Sequence, residues 1–394
     1  MDIIIIANFC SDLDRPTNSR FTYIADLLYM DNDVEIVGST FCHDSKSKRE
    51  CDYARFPYKV TLIEEPGYRK NISISRFMSH HIWGNNVYEY IKERKNPDVI
   101  YCAIPSLTAA AKVGEYCKNN NIKFVIDIQD LWPEAFQMVF HMPIVSNAIF
   151  APFKNLANKA YSNADEIIGV SQTYVDRALL VNNKCKKGYS VFLGTKLETF
   201  DKNAVANTVN KSSDEIWIGY CGTLGNSYDL MCVIDALALI NSKGENAPKF
   251  IVMGDGHRKT EFEEYAKKKS VETVFTGNLP YPQMCGMVKA CDMVVNPIMK
   301  GAAQSIINKH ADYAASGHPV INTQECKEYR DLVDEYHMGF NCRNSDPEDM
   351  AAKILELLDD AELRIEMGVN ARKCAQEKFD RKNSYSRILK VIKQ

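Results

Sequence analysis

Residues 301–322 (GAAQSIINKHADYAASGHPVIN) hold an amide, a cation and a carboxylate close together: Gln304, Lys309 and Asp312. A glycine-led turn at Gly301 predicts a helix over Ser305–Ala315, ended by Gly317. On such a helix Asp312 lies about 80° past two full turns from Gln304. The two side chains then point in neighbouring directions, with Lys309 near them. Such a set can bind a sugar, a ribose and a diphosphate. A capped surface helix would carry the same residue types.

Four other stretches carry groups of this kind. Residues 127–134 (DIQDLWPE) follow an apolar run, so Asp127, Gln129 and Asp130 fall at the carboxyl end of a strand, where ligands sit in open parallel sheets. Asp127 and Asp130 could bind sugar hydroxyls or move a proton; they could equally cap the next helix. Residues 220–228 (YCGTLGNSY) place Gly222 and Gly225 after another strand and let the backbone approach a ligand. Gly254, Asp255 and Gly256 form a second strand-end turn. Residues 66–81 (PGYRKNISISRFMSHH) join Tyr68, Arg69, Lys70, Arg76, His80 and His81, a mixture suited to phosphate and lipid headgroups or to an ordinary charged face. In the first loop (8–20, NFCSDLDRPTNSR), Asn18 and Ser19 can cap a helix, and Arg15 and Arg20 could hold an acceptor phosphate.

These stretches must be positioned by a βα scaffold. Apolar runs read as strands at Asp2–Ala7, Asp33–Ser39, Pro97–Cys102, Lys123–Asp127 and Glu166–Val170. Helical patterns lie between them at Thr22–Tyr29, Trp83–Lys95, Leu107–Asn119 and Gln172–Leu180. The rhythm restarts with strands at Ile216–Tyr220, Lys249–Met253, Val274–Thr276, Met293–Asn296 and Pro319–Asn322. Alternation of this kind means parallel sheets. The polar segment Asn203–Glu215 (NAVANTVNKSSDE) reads as a linker and divides the chain into 1–205, 206–375 and a terminal helix, 376–394, expected to return to the first domain.

Composition removes several classes. With 394 residues, 45% of them hydrophobic, the chain is long enough for two cores. A net charge of −3 argues against general nucleic-acid binding. The thirteen cysteines include no CxxC pair, so free buried thiols are expected rather than a metal site or a disulfide framework. No run of 18 apolar residues occurs, and MDIIIIANF reads as a strand rather than a signal peptide. A cytoplasmic location is expected, with peripheral contact at the inner membrane face through residues 66–95 and 142–160.

In order and spacing these segments resemble retaining glycosyltransferases of family 4, of the GT-B fold class. The resemblance runs through PGYRKN…R..SHH, DIQDLWPE, ADEIIGVS, FLGTKLETF, YCGTLG, FIVMGDG, VFTGNLP and ADYAASGHPVI. It is to enzymes of bacterial capsule and O-antigen assembly. It implies two Rossmann-like domains facing each other across a cleft, with the acceptor on the first and a nucleotide sugar, UDP-linked, on the second. The donor site would comprise Gly222, Thr223, Leu224, Gly254, Gly256, Asn278, Gln304, Ser305, Ile306, Lys309 and Asp312. Asn18, Arg20, Tyr68, Arg69, Arg76 and His80 would serve the acceptor, with Gln304, Asp130 and Gln129 closest to the chemistry. Gln304 and Asp312 occupy the places of the family's two glutamates, of which the first contacts the donor sugar and the second the ribose. Many members follow the CGTLG-like turn with an Arg and a Lys. Here residues 226–229 are Asn, Ser, Tyr and Asp, which leaves Lys309 and the backbone N–H groups at Gly222–Gly225 and Ser305 to meet the diphosphate. Gln129 stands where some relatives carry a histidine.

The implied reaction moves a sugar from a nucleoside diphosphate to a polyprenyl-diphosphate-linked glycan with retention. The resemblance implies that it needs no metal, as is typical of this fold, and no carboxylate nucleophile, because the leaving phosphate acts as base. Two alternatives remain open: a nucleotide-sugar 2-epimerase of the same fold, and a sugar-nucleotide-binding scaffold partner. Neither half carries G-x-G-x-x-G, which disfavours an NAD enzyme.

Overall fold

The computed structural model describes residues 1–13, 20–50, 53–71, 73–137, 143–302 and 305–394. The chain divides into two compact units, Met1–Phe192 with Tyr385–Gln394, and Leu193–Ser384.

The first unit is built on strands β1 (Asp2–Ile6), β2 (Asp33–Ser39), β5 (Lys59–Ile63), β6 (Val99–Ile104), β7 (Lys123–Ile128), β8 (Glu166–Gly169) and β9 (Tyr189–Ser190). A two-stranded hairpin, β3 (Phe41–Cys42) and β4 (Ser47–Lys48), follows β2. The main sheet runs in the order β5-β2-β1-β6-β7-β8-β9, and every pairing in it is parallel. Central strands of such a sheet are covered on both faces, which is why β1 reads as an unbroken apolar run. Ile3, Ile4, Ile5 and Ile6 are all fully buried, each contributing about 1.5–3 kcal/mol of burial free energy.

The second unit repeats the plan with β10 (Trp217–Cys221), β11 (Lys249–Met253), β12 (Thr273–Gly277), β13 (Met293–Asn296), β14 (Val320–Asn322) and β15 (Gly339–Asn341). Its sheet runs β12-β11-β10-β13-β14-β15, again all parallel. Both units are therefore Rossmann-like α/β layers, with loops at the carboxyl ends of the strands free to carry a site.

Several expectations need correction. The expected linker is not one. Leu197–Ala206 is a helix of the second unit that buries Leu197, Phe200 and Ala204. The chain thus changes unit at 192/193 rather than at 205/206. The polar residues Asp201, Lys202 and Asn203 obscure one apolar face whose members are three and four residues apart. The helix expected from Trp83 begins at Ile74, where the Ser73 hydroxyl accepts the Arg76 N–H. The helix expected from Ser305 begins only at Asn308, so its free N–H groups are not at Ser305. The terminal segment is broken into Ala361–Cys374, a wide turn Ala375–Phe379, Arg381–Ser384 and Ser386–Lys393. Only Tyr385–Gln394 belongs with the first unit.

Candidate functional site

In the second unit the loop after β10 carries residues 222–228. It is locked to the turn after β11. A Cβ on Gly254 would lie 1.9 Å from the Gly222 carbonyl oxygen, and one on Gly256 would lie 2.2 Å from that of Leu224. Gly254 also has φ +154°, which side chains rarely adopt. These two glycines therefore seat the Gly222 loop; the space their side chains would fill holds backbone, not ligand. The Leu224 N–H donates to the Asp255 carbonyl at 2.8 Å and closes the same contact. Thr223 and Asn278 are exposed, whereas Leu224, Ser305 and Ile306 are buried.

Beneath this loop lies Lys309. It sits in the second position of the helix Asn308–Ser316 and is 8% exposed. Its Nζ stands 4.2 Å from the ring centre of Tyr220 and 4.1 Å from that of Tyr228. A Cβ on Gly222 would fall 2.9 Å from the same nitrogen. Nζ has no hydrogen-bond partner among the described residues. Each ring face offers a cation about 0.5–2 kcal/mol; removing an ammonium from water costs several kcal/mol. Burial wins, and it pulls the Lys309 amine down to about 7.

One helical turn on, the Asp312 carboxylate accepts a hydrogen bond from the Tyr281 hydroxyl at 2.9 Å, and that hydroxyl lies 2.9 Å from Thr195 Oγ1. Burial pushes the Asp312 carboxyl up to about 6, against the hydrogen bonds from Tyr281 and Thr195. Behind the helix His310 stacks on Tyr329 with ring centres 3.5 Å apart. Gln324 Nε2 donates to the Ser305 carbonyl at 2.8 Å, and the Ile307 N–H donates to His310 Nδ1 at 3.3 Å. This buried network fixes the main chain ahead of Lys309. Gln304 lies outside the described residues.

In the first unit the loops after β1, β3, β5 and β7, together with the helix Ile74–Glu93, gather a second group. Phe9, His43, Tyr68, Arg76, His80 and Trp132 form one aromatic cluster. The Arg76 guanidinium lies 4.5 Å from the Trp132 ring, 5.4 Å from Tyr68 and 5.7 Å from Phe9. His80 is 7% exposed, with its ring 5.7 Å from Tyr68 and 5.3 Å from Trp132. Both ring nitrogens of His80 lack a partner among the described residues. Burial, with Arg76 beyond it, drops His80 to about 3, so the ring is neutral. Burial likewise lowers His43 to about 4, with Lys46 and Arg76 adding to it. Burial also raises the Asp130 carboxyl, whose Oδ2 accepts the Trp132 indole N–H at 2.9 Å. Under the cluster Glu65, 1% exposed, accepts from Asn8, Ser39 and Ser79 and ties three elements together. Arg69 is exposed.

Arg20 does not join this group. It is 2% exposed; its Nε lies 2.8 Å from Asp127 Oδ2, and its other nitrogens donate to Asp127 Oδ1 and to the carbonyls of Val191 and Phe192. Its donor fork is occupied by the protein, which corrects its expected role as a free acceptor-binding cation. Asp127 is equally consumed, and Gln129 Nε2 donates to its Oδ2 at 3.1 Å. Asn18 and Arg15 lie outside the described residues. The side chains overlooked in the sequence are Tyr220, Tyr228, Tyr281 and Thr195, then Glu65 and His43. Tyr220 and Tyr228 begin and end the YCGTLGNSY segment; that flanking pair was the available signal.

Among the described residues no group of three or more His, Cys, Asp or Glu side chains converges as a metal site, and no helix is long and apolar enough to cross a membrane.

Residues 215–360 match the family model described as Glycosyl transferases group 1. A search of curated proteins finds no match. Among solved structures, sucrose-phosphate synthase from Thermosynechococcus elongatus superposes with a TM-score of 0.74 at 15% identity, covering 100% of this chain and 98% of the other. Anabaena Alr3699/HepE in complex with UDP gives 0.70 at 15% identity, with both chains covered in full. WaaG, a glycosyltransferase involved in lipopolysaccharide biosynthesis, gives 0.67 at 12% identity over 99% of each chain. Lys309, Asp312, Tyr220 and Tyr228 all fall inside the matched segment. The chain has the GT-B fold, two parallel-sheet Rossmann-like units, and its second unit carries a glycosyltransferase group 1 segment.

Proposed function

We propose that this chain is a glycosyltransferase that takes a sugar from a nucleoside diphosphate sugar, UDP-linked, and transfers it with retention to a lipid-linked glycan of a surface polysaccharide. The observation that carries the reading is Lys309. It is a buried lysine whose Nζ has no hydrogen-bond partner among the described residues, held beneath a glycine loop at the carboxyl edge of a parallel sheet. Such a group is complementary to the leaving diphosphate, whose charge grows in the transition state. Asp312 then receives the ribose hydroxyls and Gln304 the donor sugar. The backbone at Gly222–Leu224 completes the diphosphate cradle.

The acceptor reading rests on the first unit. Arg76 within its aromatic box suits a phosphate beside a sugar ring. A neutral imidazole offers one donor and one acceptor, so His80 suits a hydroxyl, which can satisfy both. Tyr68 and Asp130 line the same cluster. Ile74, Met78 and Ile82 are exposed at four-residue spacing on the helix Ile74–Glu93, just after exposed Arg69 and Lys70. That stripe supports peripheral contact with an anionic inner membrane face. Absence of binding to anionic liposomes would remove this part of the reading.

The donor assignment is tested by thermal shift with a panel of nucleoside diphosphates, wild type beside Asp312→Ala. Stabilisation by one base, lost in the variant, supports the site and names the base. No stabilisation by any member sinks it.

A further inference from the structure

We propose that donor binding completes the protonation of Lys309: the empty site leaves the amine only partly protonated between Tyr220 and Tyr228 near neutral pH, and the incoming diphosphate draws the remaining proton from solvent onto Nζ. The inference rests on the reading that Lys309 meets the donor diphosphate.

The geometry leaves the amine no other route to a stable charge. Its nitrogen is buried, with no hydrogen-bond acceptor among the described residues. The titratable groups around it come from every element it packs against. Tyr220 and Cys221 lie on β10 and Tyr228 in the following loop. His310, Asp312 and Tyr313 share its helix. Burial raises Tyr220, Tyr228, Tyr313 and Cys221, so all four stay neutral near pH 7. Burial holds His310 neutral as well. Asp312 is the one carboxylate among these groups, and Tyr281 engages it instead. The burial that brings Lys309 to about 7 therefore outweighs the two ring faces and Cys221 until an anion arrives. A diphosphate supplies the missing charge and raises the amine again. Between pH 7 and the higher value in the complex, binding takes up a proton from the medium, which forms an N–H bond to the lone pair of Nζ.

The test is titration calorimetry on the full chain with UDP-, ADP-, dTDP- and GDP-glucose, carrying forward the tightest. A nucleoside diphosphate glucose is a diester, so its phosphates do not themselves titrate near neutrality. Each run is made in Hepes and in Tris, whose ionisation heats differ. An amine at about 7 predicts uptake of about 0.9 proton per donor at pH 8 and about half at pH 7. Affinity should weaken up to about tenfold per pH unit above 7. Lys309→Arg, permanently charged, should bind without uptake, and Lys309→Met should lose both affinity and slope. Equal heats in the two buffers with a flat affinity from pH 6.5 to 8.5 overturn the inference while leaving the donor site standing. Uptake that persists in the variants belongs to another group and also overturns it. If none of the four sugars binds a chain that still melts cooperatively, the donor reading itself fails, and the inference with it.

Discussion

Arg20 in the first unit and Lys309 in the second are both buried beside a sheet, and the two are treated in opposite ways. Arg20 is surrounded by Asp127 and two carbonyls. Lys309 has two aromatic faces and, among the described residues, no hydrogen-bond acceptor. A buried charge whose partners are all protein is a strut. One whose partners are missing stands in the geometry of a complex that includes something else. The contrast also explains why the two basic side chains could not be ranked by residue type. Both were plausible phosphate ligands in the sequence, and only the partners separate them.

The comparison breaks first at Arg20. Arg20→Ala strands Asp127 in the core and should cost about 3–5 kcal/mol. Thermal melting checks this, and an unchanged Tm would mean that the pair does not hold the first unit together. Next is Lys309. Lys309→Met should weaken donor binding about 100-fold, or roughly 2.7 kcal/mol, while the empty protein melts no lower than wild type. The sign follows from linkage. A lysine depressed when folded destabilises the folded state wherever it is protonated there, so the variant's advantage is largest below pH 7 and fades as pH rises toward 10.5.

Asp312 sharpens the same contrast, because its proposed ligand role and its effect on stability have opposite signs. Its folded carboxyl, near 6, lies above its unfolded value of 3.8. Ionised Asp312 therefore opposes folding, fully so above about pH 6, and the cost vanishes below about 4. Asp312→Asn should raise stability at pH 7.5 by about 1–3 kcal/mol yet weaken nucleotide binding about tenfold. A variant that melts higher and still binds as wild type would deny Asp312 its role. The smallest stability effect is expected at His80. His80→Phe keeps the ring packing and removes two unpartnered nitrogens, so stability should stay within about 1 kcal/mol. Acceptor use should fall, read as a rise in the acceptor KM at unchanged donor Kd.

The scaffold was legible because parallel strands covered on both faces leave continuous apolar runs. IIII at 3–6 and FIVM at 250–253 could hardly be anything else. The helix Leu197–Ala206 was not legible. Three buried positions among ten residues make too weak a period when Glu198, Thr199, Asp201, Lys202 and Asn203 stand between and beside them. Edge strands such as Lys59–Ile63 and Gly339–Asn341 were missed for a related reason, being only partly buried. The candidate site divides in the same manner. Lys309 and Asp312 share one helix and could be paired by counting. The Arg20–Asp127 pair spans 107 positions, and Tyr281 reaches Asp312 across 31; no local pattern encodes such distances.

The interlock of Gly254 and Gly256 with Gly222 and Leu224 has a consequence for redesign. The two turns form a clasp, and a side chain at either 254 or 256 would prise it open. Gly225 differs: its nearest neighbour would lie 3.6 Å away, at ordinary contact distance. A library aimed at new donor preference should therefore hold 254 and 256 fixed. It can spend its diversity on 223 and 226, which are exposed on the rim of the clasp, so that mutation there leaves the two turns joined.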